Sequence, residues 1–216
     1  MRYKAIFFDM DGTVLNTLED LHDGVNAALH AFNMPLISLD DTRRFVGNGA
    51  KRLISLAVPS GTDEATTQRV LDWFKAYYGE HCSIKTAPYP GIADAMKTLI
   101  AQGARLAVVS NKPDEAVKPL AKEFFEGLLS VAVGESLSVR RKPAPDTVFA
   151  AAKELAVDIA QCVYIGDSEV DIATAKNAGM DCISVSWGFR TAEELTQAGA
   201  SVIVSTAAEL LEYLLS

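Results

Sequence analysis

The chain has 216 residues, 49% of them hydrophobic, with 20 basic residues against 28 acidic ones and a formal net charge of −8. That apolar content supports a sizeable core in one large domain or two unequal ones, while the acidic balance excludes a general nucleic-acid-binding face and offers an anionic substrate no long-range attraction. No apolar run approaches the roughly 18 residues a membrane helix requires, and Met1-Arg2-Tyr3-Lys4 leads into a strand-like segment without a signal-peptide pattern, so a cytoplasmic protein with no membrane contact is expected.

The first predicted element is an apolar run over 4–9 that ends in Phe7-Phe8-Asp9-Met10-Asp11-Gly12-Thr13. Two carboxylates at the mouth of a buried strand are costly unless a cation or a proton sits between them. From about residue 15 to about residue 86 no convincing strand follows. Amphipathic helical stretches cover 18–32, 39–46, 50–57 and 64–81, and Pro88-Tyr89-Pro90-Gly91 closes the interval. Residues 15–86 therefore read as a helical cap inserted into a core made of 1–14 and 87–216. Beyond residue 90, strands at 105–110, 128–133, 162–165, 182–186 and 201–204 alternate with helices at 91–102, 113–124, 146–155, 170–178, 191–198 and 206–215. Most of these strands are apolar throughout, as parallel strands covered on both faces are. The expected class is α/β, a Rossmann-like doubly wound parallel sheet with an inserted α-helical cap.

In such sheets ligands bind beyond the carboxyl ends of the strands. The first strand is followed there by Asp9 and Asp11 and the second by Ser110-Asn111-Lys112. Lys142-Pro143-Ala144-Pro145-Asp146 precedes the 146–155 helix, and Gly166-Asp167-Ser168-Glu169-Val170-Asp171 follows the fourth strand. Clustered carboxylates suit a hard divalent cation, magnesium above all, for which Asp9 and Asp167 suffice. Ser110 and Lys142 add the hydroxyl and positive charge that a tetrahedral phosphate needs. Each residue alone also reads as ordinary punctuation: Asp11-Gly12 a turn, Ser110, Asp146 or Asp167-Ser168 helix caps, Asp171 a first-turn acid. Their coincidence at one sheet edge favours a site.

Taken together, these segments resemble the four motifs of the haloacid dehalogenase-like hydrolase superfamily, in order and spacing, over essentially the whole chain. The resemblance implies a mobile cap and a magnesium-dependent reaction through an aspartyl-phosphate. Asp9 would be the nucleophile and Asp11 the general acid and base. Asp9, the backbone carbonyl of Asp11, and Asp167 would hold magnesium with support from Asp171, and Ser110 and Lys142 would hold the phosphoryl oxygens. The acid at position 11 favours phosphoryl transfer over dehalogenation. Lys51 is the candidate Schiff-base lysine of the phosphonate-hydrolysing branch, against which the second aspartate counts.

Ser110-Asn111-Lys112-Pro113, Lys142-Pro143-Ala144-Pro145-Asp146, Gly47-Asn48-Gly49 and Trp187-Gly188-Phe189-Arg190 resemble the phosphoglycolate phosphatase group most. On that reading Asn111, Gly47, Asn48, Gly49, Lys51 and Arg190 are candidate substrate contacts, and the partner is a small phosphorylated metabolite bound by a monomer or weak homodimer. Arg43, Arg44, Arg52, Arg140 and Arg141 read as solvated charge. His22, His30 and His81 lack ligand spacing, Trp73-Phe74 with Tyr77-Tyr78 reads as cap core, and Cys82, Cys162 and Cys182 read as free thiols. The alternatives on the same scaffold are a phosphosugar mutase or a pyrophosphatase. From another class come a signalling phospho-acceptor, which has no such helical insertion, and a non-catalytic binding protein.

Overall fold

Ala5, Ile6, Phe7 and Phe8 are all buried, and they form the central strand of a parallel sheet covered on both faces. The computed structural model describes residues 2–136 and 138–216. In chain order the elements are β1 (Ala5–Phe8), β2 (Leu15–Asn16), α1 (Leu18–Ala31), α2 (Leu39–Phe45), α3 (Gly49–Ala57), α4 (Glu64–His81), β3 (Ala87–Pro88), α5 (Ile92–Ala101), β4 (Arg105–Pro113), α6 (Asp114–Phe125), β5 (Val131–Glu135), α7 (Asp146–Leu155), β6 (Cys162–Gly166), α8 (Glu169–Ala178), β7 (Asp181–Val185), α9 (Ala192–Gln197), β8 (Ile203–Val204) and α10 (Ala207–Leu215).

Six strands form one sheet in the order β5-β4-β1-β6-β7-β8, every neighbouring pair parallel. The chain moves outward from β1 through β4 to β5, then returns to β6 on the other side of β1. The switch of direction therefore falls at β1, where a crevice opens beyond the strand ends. Phe8 lies level with Val108 of β4 and Ile165 of β6, so the residues just past these three strands share one edge. Ala5 and Phe7 pack with Val148, Ala151 and Leu155 of α7 and with Ala175 and Ala178 of α8. Ile6 and Phe8 point to the opposite face and are buried as completely.

The chain divides into two compact units, Met1–Leu15 with Pro88–Ser216, and Asn16–Ala87. β2 and β3 pair as a two-stranded sheet where the chain passes between them. In the helical unit α1 rests on α2, α3 and α4, burying Val25, Leu29, Leu53, Ile54, Val70, Leu71 and Phe74. Ser38 and Asp41 form a capping box at the start of α2, and the Asp63 side chain accepts the Thr66 N–H at the start of α4. The buried Asp20 carboxylate accepts the N–H groups of Lys85 and Thr86, tying the end of this unit to α1.

Three details depart from the sequence expectations. β4 continues through Ser110, Asn111 and Lys112 to Pro113, with a register irregularity against β5 between Val109 and Pro113, and β5 starts at Val131. Phe74 and Tyr78 belong to the helical core, but Trp73 and Tyr77 are half-buried and stack at 5.2 Å, with Tyr77 in turn stacked on His81. Residues four apart share one stripe of a helix, and here the 74/78 stripe faces inward while 73/77 lies at its margin. Replacing Phe7 by Ala at the centre of the sheet is expected to lower unfolding free energy by about 3–5 kcal/mol, read as a shifted urea midpoint with unchanged slope.

Candidate active site

Asp9 immediately follows β1 and continues its ladder through Asp9 N–H to Ile165 O at 2.8 Å. The chain then turns tightly: the N–H groups of Val14 and Leu15 both donate to Met10 O, and Gly12 sits at φ 83. Glycine is needed there for the backbone sign and for space, because a Cβ would lie within 3.0 Å of the Asp167 carboxylate. The turn presents two carboxyls to different surroundings.

Asp9 Oδ1 accepts the Met10 N–H at 2.7 Å and lies 2.8 Å from Lys142 Nζ. The Lys142 side chain is only 1% exposed and also donates to Asp171 Oδ1 at 2.7 Å and to the Tyr164 hydroxyl at 3.0 Å, which in turn donates to Asp171 Oδ1. Ser168 N–H and hydroxyl both donate to Asp171 Oδ2, so this one carboxylate both starts α8 and anchors the lysine. Burial opposes the Lys142 charge, but Asp171 and then Asp9 outweigh it and hold the ammonium above the ordinary lysine range. The Lys142 backbone is bracketed by Asn111, whose amide accepts the Lys142 N–H at 2.6 Å and donates to its carbonyl at 3.1 Å.

Asp11 has a different partner. Its Oδ1 lies 3.3 Å from Lys112 Nζ but accepts no hydrogen bond, so the pair is held by charge alone. Ser110 is buried within β4, its Oγ accepting the N–H of Lys112 two residues on. Asp167 is reached from the turn after β1 and from one further loop: the Thr13 hydroxyl donates to Oδ1 at 3.1 Å and the Phe189 N–H to Oδ2 at 2.7 Å.

Oxygen atoms of Asp9, Asp167 and Asp171 all lie within 4.8 Å of one another. Three carboxylates thus gather near one ammonium, and burial together with the surplus negative charge raises the proton affinity of two of them, Asp9 and Asp167. Burial, followed by the charges of Asp171 and Asp167, raises Asp9 well above the carboxylate range despite Lys142. Burial and Asp171 push Asp167 up to about 7 against the pull of its donors. A donor set of hard, charge-deficient carboxylates suits a divalent cation with oxygen ligands.

A profile of the haloacid dehalogenase-like hydrolases matches residues 3–179. The chain belongs to that family. A phosphoglycolate phosphatase of Pseudomonas syringae pv. tomato is 32% identical over 96% of this chain and 78% of its own length, and one of Colwellia psychrerythraea is 33% identical over 96% and 95%. Among solved structures, one from Lactobacillus delbrueckii subsp. bulgaricus, provisionally named phosphoglycolate phosphatase, shares 44% identity with a TM-score of 0.95 over 99% of both chains. CbbY of Rhodobacter sphaeroides, solved in complex with phosphate, shares 28% identity with a TM-score of 0.75 over 96% of both.

In this family member Asp9, Asp11, Ser110, Asn111, Lys142, Asp167, Asp171 and Arg190 all lie in the sheet-bearing unit, while Gly47, Asn48, Gly49 and Lys51 lie in the helical unit. There Asn48 precedes α3, Gly47 and Gly49 take positive φ, and Lys51 is exposed. Asn111, expected to touch substrate, spends both ends of its amide on the Lys142 backbone. Arg190, expected likewise, is bidentate to Glu169 through Nε and Nη2. His22, part-buried, bridges Thr42 and Asn26, and all three cysteines are free. No helix among the described residues is long and apolar enough to cross a membrane. Sequence reasoning missed Lys112, Tyr164 and Thr13. The available signals were a lysine two residues after a strand serine, a lone hydroxyl inside the apolar run 162–165, and the threonine of the first motif.

A carboxyl whose folded pKa exceeds its unfolded one holds an extra proton in the native state between the two values, so stability falls as pH rises across that window. For Asp167 the window runs from the usual 3.8 to about 7. Chelator-treated protein is therefore expected to lose unfolding free energy between pH 4 and pH 7, and Asp167→Asn to flatten that slope in urea titrations. An unchanged slope in the variant contradicts the assignment. Lys142→Met, leaving buried carboxylates without their cation, is expected to cost about 3–5 kcal/mol at pH 8.

Proposed function

We propose that this chain is a magnesium-dependent phosphatase that hydrolyses a small phosphate monoester, phosphoglycolate or a near relative, through an aspartyl-phosphate on Asp9. The observation that carries the reading is the split treatment of two neighbouring carboxyls. Asp9 is held against the buried Lys142 ammonium at 2.8 Å, while Asp11, two residues on, faces Lys112 at 3.3 Å with an Oδ1 that accepts no hydrogen bond, a looser setting that suits proton exchange.

The chemistry divides accordingly. An Asp9 carboxylate oxygen attacks phosphorus, and the bond to the leaving oxygen breaks as Asp11 gives that oxygen a proton. Asp11, now a carboxylate, takes a proton from water as the water oxygen attacks phosphorus, the Asp9–phosphorus bond breaks, and inorganic phosphate departs. Lys142 and the Ser110 hydroxyl hold the phosphoryl oxygens as charge redistributes, and Lys142 stays protonated throughout because Asp171 holds its other side. Asp9, Asp167 and the Asp11 carbonyl would hold magnesium, supported by Asp171. When bound, the ion supplies charge neutralisation for the transferring group. The N–H groups of 47–49 and Lys51 are the proposed contacts for the substrate's remaining anionic group. We assign the enzyme to the cytoplasm, as a monomer or weak homodimer.

Phosphate release is to be measured across phosphoglycolate, sugar phosphates, nucleotides and pyrophosphate, with magnesium and with chelator. Hydrolysis of phosphoglycolate or a close analogue, abolished by chelator, is expected. Asp9→Asn should lower turnover by roughly 10³-fold or more, and Asp11→Asn by about 10²–10⁴-fold. Magnesium-dependent turnover that survives Asp9→Asn ends this reading, and fast release from pyrophosphate alone moves the substrate assignment.

A further inference from the structure

The loop Trp187-Gly188-Phe189-Arg190, separated by one residue from the end of β7, lies outside the four segments that carry the chemistry, yet every one of its residues meets one of them. Trp187 Nε1 donates to Thr13 O at 3.0 Å and its ring tilts against Tyr89. The Phe189 N–H donates to Asp167 Oδ2 at 2.7 Å. Arg190, its side chain 11% exposed, forks onto Glu169, two residues beyond Asp167. Between them Gly188 lies so close that a Cβ there would come within 3.0 Å of Gly12 O and of the Asp167 side chain. Gly12 has the same relation to Asp167 from the opposite loop. The Asp167 carboxylate thus sits in a cradle between two glycines, with the Thr13 hydroxyl on one oxygen and the Phe189 N–H on the other.

We infer that this loop is the positioning element for Asp167: Gly188 makes room for the carboxylate, the Phe189 N–H aims it, and Trp187 and Arg190 lock the loop to the segments on either side. The inference rests on the proposed role of Asp167 in holding magnesium. It also gives Arg190 work other than touching substrate. A side chain can hold a metal-binding carboxylate only as well as its own supports hold it, and outer partners of this kind typically set about 10–100-fold in metal affinity. Space is the main lever, because an added methyl at Gly188 meets a backbone carbonyl and a carboxylate, neither of which is the far end of a flexible chain.

The test is titration of magnesium into the purified, chelator-treated full chain by calorimetry, for the wild type, Gly188→Ala and Trp187→Phe. Gly188→Ala is expected to weaken magnesium binding at least about tenfold, with the magnesium concentration for half-maximal turnover rising in parallel and KM for the ester at saturating magnesium staying within about twofold. Trp187→Phe keeps an aromatic ring and loses only the donor to Thr13, so it provides the milder variant if Gly188→Ala fails to fold; a loss of about threefold is expected. Far-ultraviolet circular dichroism without metal checks each fold. Folded variants that bind magnesium as the wild type does overturn the inference and leave the phosphatase reading intact. A wild type that takes up no magnesium overturns both.

Discussion

Lys142 is the group on which the site depends. An ammonium with 1% of its side chain exposed survives only among strong acceptors, and here Asp9, Asp171 and Tyr164 surround it. Each acceptor comes from a different place: Asp9 from the end of β1, Tyr164 from inside β6, Asp171 from the first turn of α8. The lysine itself arrives on the loop before α7, and Asn111 of β4 fixes its backbone. One buried charge therefore sets the relative placement of four segments. Removing an acceptor leaves the ammonium short of a partner where water cannot reach it.

The same arrangement explains why the cluster is asymmetric. Asp171 uses Oδ1 on Lys142 and Tyr164 and Oδ2 on Ser168, so both of its oxygens serve the structure. Asp9 receives its two contacts on Oδ1 alone. Asp167 is held by one hydroxyl and one backbone N–H, enough to orient it and too little to neutralise it, which is why burial and the neighbouring Asp171 raise its proton affinity. Positive charge is thus short on the side of Asp9 and Asp167 and satisfied on the side of Asp171.

Much of this is legible from residue order. A strand end followed by a carboxylate, hydroxyl or lysine is visible in one dimension, because parallel strands bring all such ends to one edge. The sheet and the strand-end residues Asp9, Asp11, Ser110 and Asp167 follow from that rule, whereas the helical insertion reads from an interval without strand pattern, Asp171 from the turn after Asp167 and Lys142 from its place before a proline. Less visible are contacts between side chain and distant backbone. Asn111 and Lys142 are 31 residues apart, and an asparagine after a strand serine reads as a ligand contact until the bracket is seen. Tyr164 hides because an aromatic residue inside an apolar run needs no reason beyond packing. The extension of β4 hides because Ser-Asn-Lys reads as loop composition, although these residues continue the strand with their polar groups turned to specific partners.

Arg190 and Gly188 show the limit most sharply. An arginine read beside a proposed anion site invites assignment to the substrate on charge alone, yet its fork is taken by Glu169. A glycine flanked by Trp and Phe carries no charge and no donor beyond its backbone, so nothing in its chemistry draws notice. Its importance is volumetric: the absent Cβ is where Gly12 O and Asp167 lie. Reactive groups declare themselves by type, whereas the groups that aim them act through the space they occupy or vacate. In this fold part of the aiming falls to the ends of β4 and β7, the strands beside β1 and β6, where Asn111 fixes the Lys142 backbone and the Phe189 N–H fixes Asp167.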